Sequence, residues 1–452
     1  MPANIDRQFF RKLLTLALPI SLQSMLFSVL GLVDMFMVAH LGTLPIAAVG
    51  LAGKVFFITL LFLAAMSNMV SIHGAQYFGA GDMASVRRIL CQGLLCSVCL
   101  VVPVIVLCTF WPERIIGLAT PDPALRAQAS QFLAITAVSF LSTALVLPLE
   151  SALHLAGEVK YPTWIGLITV LINIILNGVF IFGWLGLPAM GVAGSALGTC
   201  LARGVQLALI LLLIAKKQPH LIPRRADIVA ALERSGLLAF LKTAIPLALH
   251  NGIWATGFFV YQSIFGRMST DALSIVSLLS PFDSMLMSAF VGLSAATSIM
   301  LGHELGANNL QRAKSQSRVF LLTAPLLALL AALVTTAFSG QVVWLLSGMQ
   351  TQLAGAETVL IVMAFGLCLK VLNLVGIIGI LRSGGDVKYS MFIDQFGLWC
   401  VGIPVAWWAA EVRHFPIHIV VALMFFEELA KAVLTVERVL RGVWVRNLTL
   451  PA

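Results

Sequence analysis

LLTLALPISLQSMLFSVLGLVDMFMVA, residues 13–39, decides the fold class. The stretch is apolar over more than the roughly 20 residues a helix needs to cross a bilayer, yet it carries Asp34 inside the span. A carboxylate at membrane depth costs about 2.5–3.5 kcal/mol on insertion scales, so it faces a water-filled cavity or takes up a proton. Asp34 is therefore the first functional candidate. The competing reading is an Asp near a helix end whose side chain reaches the interface. Gln23 lies eleven residues earlier, three turns of helix, and shares a face with Gly31 and Asp34. Pro19 removes one helical hydrogen bond and is the expected bend.

The rest of the composition agrees with a membrane chain. Of 452 residues, 60% are hydrophobic and 10% charged, and the mean hydropathy is +1.00. These values exclude an ordinary soluble domain and indicate a polytopic, all-α membrane protein. Spanning backbone must satisfy its own hydrogen bonds, and the apolar runs are too long for barrel strands. Arg7, Arg11 and Lys12 precede a full-length span without a cleavage site, so the first span is expected to stay as an anchor. The net charge of +9 does not call for nucleic acid. Counted from a cytoplasmic N-terminus, about 21 basic residues fall in inside loops and about 4 outside, Arg114, Arg126, Arg267 and Arg413.

Reading spans as about twenty apolar residues gives about twelve helices. The first six cover approximately 13–39, 46–72, 89–111, 129–152, 162–183 and 191–215, and the second six 243–265, 272–300, 319–340, 357–381, 391–410 and 416–438. Between them, the charged stretch 215–236 reads as a cytoplasmic linker with a short amphipathic helix. An internal repeat supports the division. Pro19 in LALPISLQ pairs with Pro246 in TAIPLALH at an offset of 227, as Gly79 pairs with Gly306; LHLAGEVKY, 153–161, matches LRSGGDVKY, 381–389, at 228. The expected organisation is an N-lobe over 1–215, a linker over 216–240 and a C-lobe over 241–452, two six-helix bundles related by a pseudo-twofold axis along the membrane normal. The repeat sets Asp34 against Tyr261, so the ion-coupling carboxylate is expected in the N-lobe alone.

Asn173 and Asn177 are four apart and share a helical face. Buried amides need partners, and either helix packing or an ion site with a neighbouring Asp satisfies them. Thr199, among small residues of the sixth span, reads as a packing hydroxyl or a member of that network. Lys54, Arg203 and Lys370 fall within spans; Lys54 and Lys370 lie deep and should face the cavity or pair with an acid, and for Arg203 snorkelling is the plainer alternative. Asp283 and Asp394 are further candidates for protonation or substrate contact, and Glu150 is another acid in a span. Glu427 and Glu428 stand four and three residues before Lys431, which reads as a helix-surface ion pair. His250 and Asn251 interrupt the seventh span and, with Gln23, Tyr261 and Asn373, are candidates for lining the cavity. His414 and His418 have a metal-compatible spacing but no acidic or Cys partner nearby, so no metal is expected.

Taken together, LPISLQ, GLVDMFMVAHLG, IAAVGL, the YFGAGD and ELGANN loops and GILRSGGD resemble the bacterial branch of the multidrug and toxic compound extrusion (MATE) family over essentially the whole chain. The resemblance implies a twelve-helix antiporter of the bacterial inner membrane, both termini cytoplasmic, exporting cationic or amphipathic compounds by alternating access. It implies no cofactor beyond the coupling ion, a proton, with sodium as the alternative. It also implies partners limited to small-molecule drugs and membrane lipids, no nucleic acid, and a monomer. By the same likeness Asp34 is the first-helix coupling acid, Pro19 its bend, and Asn173, Asn177 and Thr199 its polar neighbours. The seventh- and tenth-helix acids of the sodium-linked and animal branches are missing, around Ile253 to Ala255 and in the region of Val371 and Asn373, which puts a C-lobe cation site in doubt and moves weight to Asp34, with protons favoured and sodium retained. A lipid-linked precursor flippase is the neighbouring alternative. A membrane-embedded enzyme is the remote one, and no HExxH, GxSxG or Walker motif speaks for it.

Overall fold

The computed structural model describes residues 7–346 and 355–450, and these are helix, turn or loop with no strand among them. The two chain ends, expected on the cytoplasmic side, lie outside the described residues. In the first half, α1 (Arg7–Ala39), α2 (Thr43–Gly79) and α3 (Met83–Phe110) are single long helices. The fourth span, α4, is a bent pair, Pro123–Thr136 and Ser139–Leu155, with 47° between its axes. It is followed by α5 (Lys160–Phe182) and α6 (Val192–Lys217). The second half begins with α7 (Arg234–Met268), α8 (Thr270–Gly306) and α9 (Leu310–Ala337). The tenth span, α10 (Ala356–Gly384), ends in a π-helical stretch over Leu374–Leu381. The eleventh, α11, runs from Val387–Gln395 through π-helical turns at Phe396–Gly402 and Trp408–Val412, and α12 is Ile417–Arg441. Among the described residues, single helices at nine expected spans are long and apolar enough to cross a membrane, and the bent pair makes a tenth. The other two are α11, interrupted by its π turns, and α12, which carries Glu427, Glu428 and Lys431 within its length.

The chain forms two compact units whose limits fall just past the two repeat-related prolines. One is Leu22–Leu249; the other is the chain up to Ser21 together with the chain from His250. Both α1 and α7 run unbroken through Pro19 and Pro246. Each ring nitrogen lacks the hydrogen that would bond the carbonyl four residues back. Within the second unit the start of α1 is seated closely: a Cβ at Gly292 would lie 2.2 Å from the Ala17 carbonyl oxygen, the Ser21 hydroxyl donates to the Ala289 carbonyl, and the Phe9 and Phe320 rings are 5.3 Å apart.

The repeat persists in local chemistry. The turns after α4 and α10 each need left-handed backbone, supplied by Gly157 (φ 84°) and Gly385 (φ 80°), 228 positions apart. Just beyond, Glu158 accepts from Gln218 Nε2 at 2.9 Å while the Lys217 ammonium sits 3.9 Å from the Tyr161 ring centre. In the other unit Asp386 accepts from Arg438 at 2.7 and 3.3 Å, and that guanidinium lies 4.2 Å from the Tyr389 ring centre. An acid, a cation and a tyrosine thus close the same turn twice.

The linker forms the expected short helix, Arg225–Ala231, held against α3. Arg87 Nε donates to Asp227 Oδ2 at 2.6 Å, Arg87 Nη1 to the His220 carbonyl at 3.2 Å, and Gln92 Nε2 to the Ala231 carbonyl at 3.3 Å. Burial opposes the charge on Asp227, but the bonds from Arg87 and the Arg224 N–H, with both guanidinium charges, outweigh it and hold the carboxyl below the usual range.

Candidate functional site

Along α5 and α6 of the first unit a belt of polar side chains lies between two apolar clusters. One cluster includes Ile181 and Ala196, the other Ile165 and Ile210. In the belt Asn173 and Asn177, one turn apart, are fully buried. Asn177 Nδ2 donates to Asp34 Oδ1 at 2.6 Å and lies 3.2 Å from Asn173 Oδ1. Asn173 Nδ2 reaches Thr199 Oγ1 at 3.4 Å. The four residues singled out from sequence therefore come together on three helices. Asn177 Oδ1 is buried with no hydrogen-bond donor among the described residues. It rests against Gly198, where a Cβ would lie 2.5 Å away. Gly198 was not among the expected site residues; it is the absence of a side chain that admits the amide.

A second chain of contacts runs beside the first. Gln23 and Gln206 both bond the buried Glu150, the latter from Nε2 at 3.2 Å. Arg203 Nη1 donates to Gln206 Oε1 at 3.0 Å, its guanidinium lies 5.1 Å from the Phe27 ring centre, and its charge is felt by both Asp34 and Glu150. Arg203 thus turns inward and not along the snorkelling alternative: with an acceptor available inside the unit, the guanidinium bonds it. Gln206 was missed altogether, although a glutamine in an apolar span needs partners for the same reason as Asn173.

The second unit holds its own polar network. Tyr261, at the repeat position of Asp34, donates its hydroxyl to Glu427, which also binds Lys431. Lys431 Nζ lies 3.6 Å from Glu428, and Asn373 Nδ2 donates to the Glu428 carboxylate at 2.7 Å and to its carbonyl at 2.8 Å. The surface ion pair expected here is corrected as well: Glu427 is 6% and Lys431 5% exposed. Their burial comes from α11, where a Cβ at Gly402 would lie 2.3 Å from Glu427 Oε2, and one at Gly397 would lie 2.6 Å from Lys431 carbons. Further along, His250 Nε2 stands 3.4 Å from Asp394 Oδ2, which Arg382 Nη2 approaches to 3.5 Å. Asn251 Oδ1 lies 3.4 Å from His250 Nδ1. Asp283 accepts from Lys370 Nζ at 3.1 and 3.0 Å. Lys54 is exposed and in none of the ion pairs found among the described residues. His414 has left-handed backbone, φ 50°. Among the described residues no group of three or more His, Cys, Asp or Glu could hold a metal ion.

Chemically, Asp34 with the Asn177, Asn173 and Thr199 oxygens can hold a proton or a small hard cation. The family model MatE matches residues 19–179 and 246–408, one match in each half. Multidrug resistance protein NorM of Vibrio vulnificus is 25% identical over 400 residues, 87% of this chain and 86% of its own. Probable multidrug resistance protein NorM of Thermotoga maritima is 22% identical over 453 residues, covering 100% and 96%. Among solved structures, Vibrio cholerae MATE transporter VcmN in its bent form superposes with a TM-score of 0.86 at 18% identity, covering 96% of this chain and 97% of its own. The eukaryotic MATE transporter AtDTX14 does so at 0.83 and 17%, covering 97% of each. A twelve-span helical fold, the repeat and a family match over most of the chain lead to one conclusion: the chain belongs to the MatE family and is a transporter, not an enzyme.

Proposed function

We propose that this chain is an efflux antiporter that exports cationic or amphipathic drugs by alternating access against inward proton flow, with Asp34 as the proton carrier. The relatives named for multidrug resistance support the substrate class. One observation carries the coupling: the buried Asn177 amide gives its N–H to Asp34 while its own oxygen has no donor among the described residues. An ionised Asp34 only accepts; a protonated one also donates. Proton uptake from outside therefore lets Asp34 turn its new O–H toward Asn177 Oδ1 and release the amide N–H, reversing the polarity of the bond. Loss of the negative charge also removes the desolvation penalty of a carboxylate in a span and permits a different packing of α1 beyond Pro19. Release of the proton to the cytoplasm restores the first arrangement.

The lobes of this working cycle are 1–215 and 241–452, joined by the linker 216–240, in a monomer of the bacterial inner membrane with both termini cytoplasmic. The oxygen-rich character of the cluster favours sodium as the second reading, since Asp34, Asn173, Asn177 and Thr199 are all hard ligands. The test is ethidium transport in proteoliposomes under a pH gradient without sodium. Wild type is expected to transport and Asp34→Asn to fail. Full proton-driven transport by Asp34→Asn refutes the mechanism, and activity that requires a sodium gradient replaces the proton with sodium.

A further inference from the structure

We infer that the linker between α6 and α7 is an interfacial anchor that binds anionic phospholipid headgroups, with Ile228, Val229 and Leu232 set into the bilayer surface. The inference needs only that α3, α6 and α7 cross a membrane, and neither the proposed ion nor the proposed drug.

The short helix Arg225–Ala231 is turned the opposite way from a helix on a water-facing surface, which hides its apolar side and shows its charges. Its buried residues are the carboxylate Asp227 and, one turn on, Ala231. Both face α3, where Arg87 bonds the Asp227 side chain and Gln92 the Ala231 carbonyl. The other side runs through positions 225, 228, 229 and 232, the spacing of one helical face. After Arg225 that face is apolar and uncovered: Ile228 is 43%, Val229 67% and Leu232 58% exposed. With the charge turned in and the hydrocarbon turned out, the medium against this face must itself be apolar.

The level of the helix identifies that medium. α3 has 28 residues, about 42 Å of helix, and so outreaches a hydrocarbon core of about 30 Å by about 6 Å at each end when centred on it. From Met83, the first residue of α3, Arg87 lies about 6 Å along the axis and Gln92 about 14 Å. The bonds to Asp227 and to the Ala231 carbonyl therefore fall at the edge of the core and just within it. The linker helix lies beside α3 in the headgroup layer, and not above it in water. Its two flanks are tied to the membrane as well, by the last turn of α6 at Lys217 and the first of α7 at Arg234.

Charge selects the lipid. From Lys216 to Arg234 the chain carries Lys216, Lys217, Arg224, Arg225 and Arg234 against Asp227 and Glu233. Arg87, from outside the stretch, takes Asp227, so five cations face one remaining carboxylate. Lys216, Arg225 and Arg234 are exposed and in none of the ion pairs found among the described residues. Basic side chains flanking an apolar face at the membrane surface draw anionic lipids. Phosphatidylglycerol, whose phosphodiester has no amine of its own to neutralise it, meets that demand; a choline headgroup does not. A second copy would bring the same positive charge to the same face, which opposes self-association there.

The test places p-benzoylphenylalanine at Val229 of the full-length protein, reconstituted in vesicles of phosphatidylcholine and phosphatidylglycerol in equal parts and irradiated. Mass spectrometry of the purified protein is expected to show phospholipid adducts, with phosphatidylglycerol enriched about fivefold or more over its share of the bilayer, the effect of one surface cation. Lys216→Gln, Arg225→Gln and Arg234→Gln together should lower the enrichment about fivefold or more while lipid adducts persist. Adducts to a second copy in place of lipid, no adduct at all, or lipid adducts with no preference for phosphatidylglycerol overturn the inference. Wild type gives an independent reading: hydrogen exchange over Arg225–Ala231 is expected to slow on passing from phosphatidylcholine vesicles to the mixed ones, and an unchanged rate also overturns the headgroup role. Neither measurement involves transport, so loss of the proposed function would leave both decisive.

Discussion

Replacing Gly198 by alanine puts a methyl carbon 2.5 Å from Asn177 Oδ1 and 3.3 Å from the Asn177 main-chain nitrogen. The backbone contact can be relieved only by moving α6 from α5, and the side-chain contact only by rotating the amide that holds Asp34. The first route is overpacking, which costs about 1–3 kcal/mol. The second gives up a hydrogen bond to a carboxylate, worth about 1.5–3 kcal/mol. Either way the variant loses about 1–3 kcal/mol, a drop of about 2–12 °C in the unfolding midpoint of a unit of this size. Proton-driven ethidium transport falls about fivefold or more, since about 1.4 kcal/mol is a factor of ten. Gly31→Ala is the matched control, because no atom lies within 4 Å of its added Cβ. It should stabilise by up to about 1 kcal/mol through helix propensity. Thermal unfolding in detergent measures both changes. In the double variant Gly198→Ala with Asn177→Ala, the unfolding midpoint should recover in part while coupling stays lost. A Gly198→Ala protein with wild-type stability and transport would refute the close seating of the amide and the role built on it.

Three further outcomes follow from contacts elsewhere. Lys370→Met strands Asp283 in a span and should destabilise by up to about 3 kcal/mol, most of it recovered when Asp283→Asn is added, as a double-mutant cycle in thermal unfolding would show. The depressed Asp227 carboxyl contributes docking energy that is fully present above the ordinary carboxylate range and fades as pH falls through its lowered value. Asp227→Asn should therefore cost about 1.5–3 kcal/mol at neutral pH, read as faster hydrogen exchange over Arg225–Ala231, and should flatten the acid dependence of that exchange. Gly402→Ala should displace Tyr261 or Glu427, whose oxygens would lie 2.0 and 2.3 Å from the new carbon; tyrosine fluorescence and unfolding midpoint would both shift.

What could be read in the chain was what one helix can express by itself. Asp34 stood out because an acid is foreign to an apolar span, and the four-residue spacing of Asn173 and Asn177 fixed their common face. The repeat set the architecture because equal offsets survive without gaps. Contacts that depend on how near two helices come were not legible. Glu427 and Lys431 have the spacing of a surface pair, and the close approach of Gly402 and Gly397 on α11 covers them. Arg203 has the length to snorkel, and Gln206 Oε1, the Phe27 ring and the charges of Glu150 and Asp34 in the folded unit hold it inside.

The passage of α1 between the two compact units also orders events during synthesis. Residues up to Ser21 leave the ribosome first, yet the surfaces that seat them, around Ala289, Gly292 and Phe320, are made more than 260 residues later. The first transmembrane segment must therefore wait in the bilayer, half of it packed and half of it exposed to lipid, until the second half has been inserted. A chain severed within the linker would leave each fragment lacking a piece of its own core, so the halves should accumulate stably only when produced together.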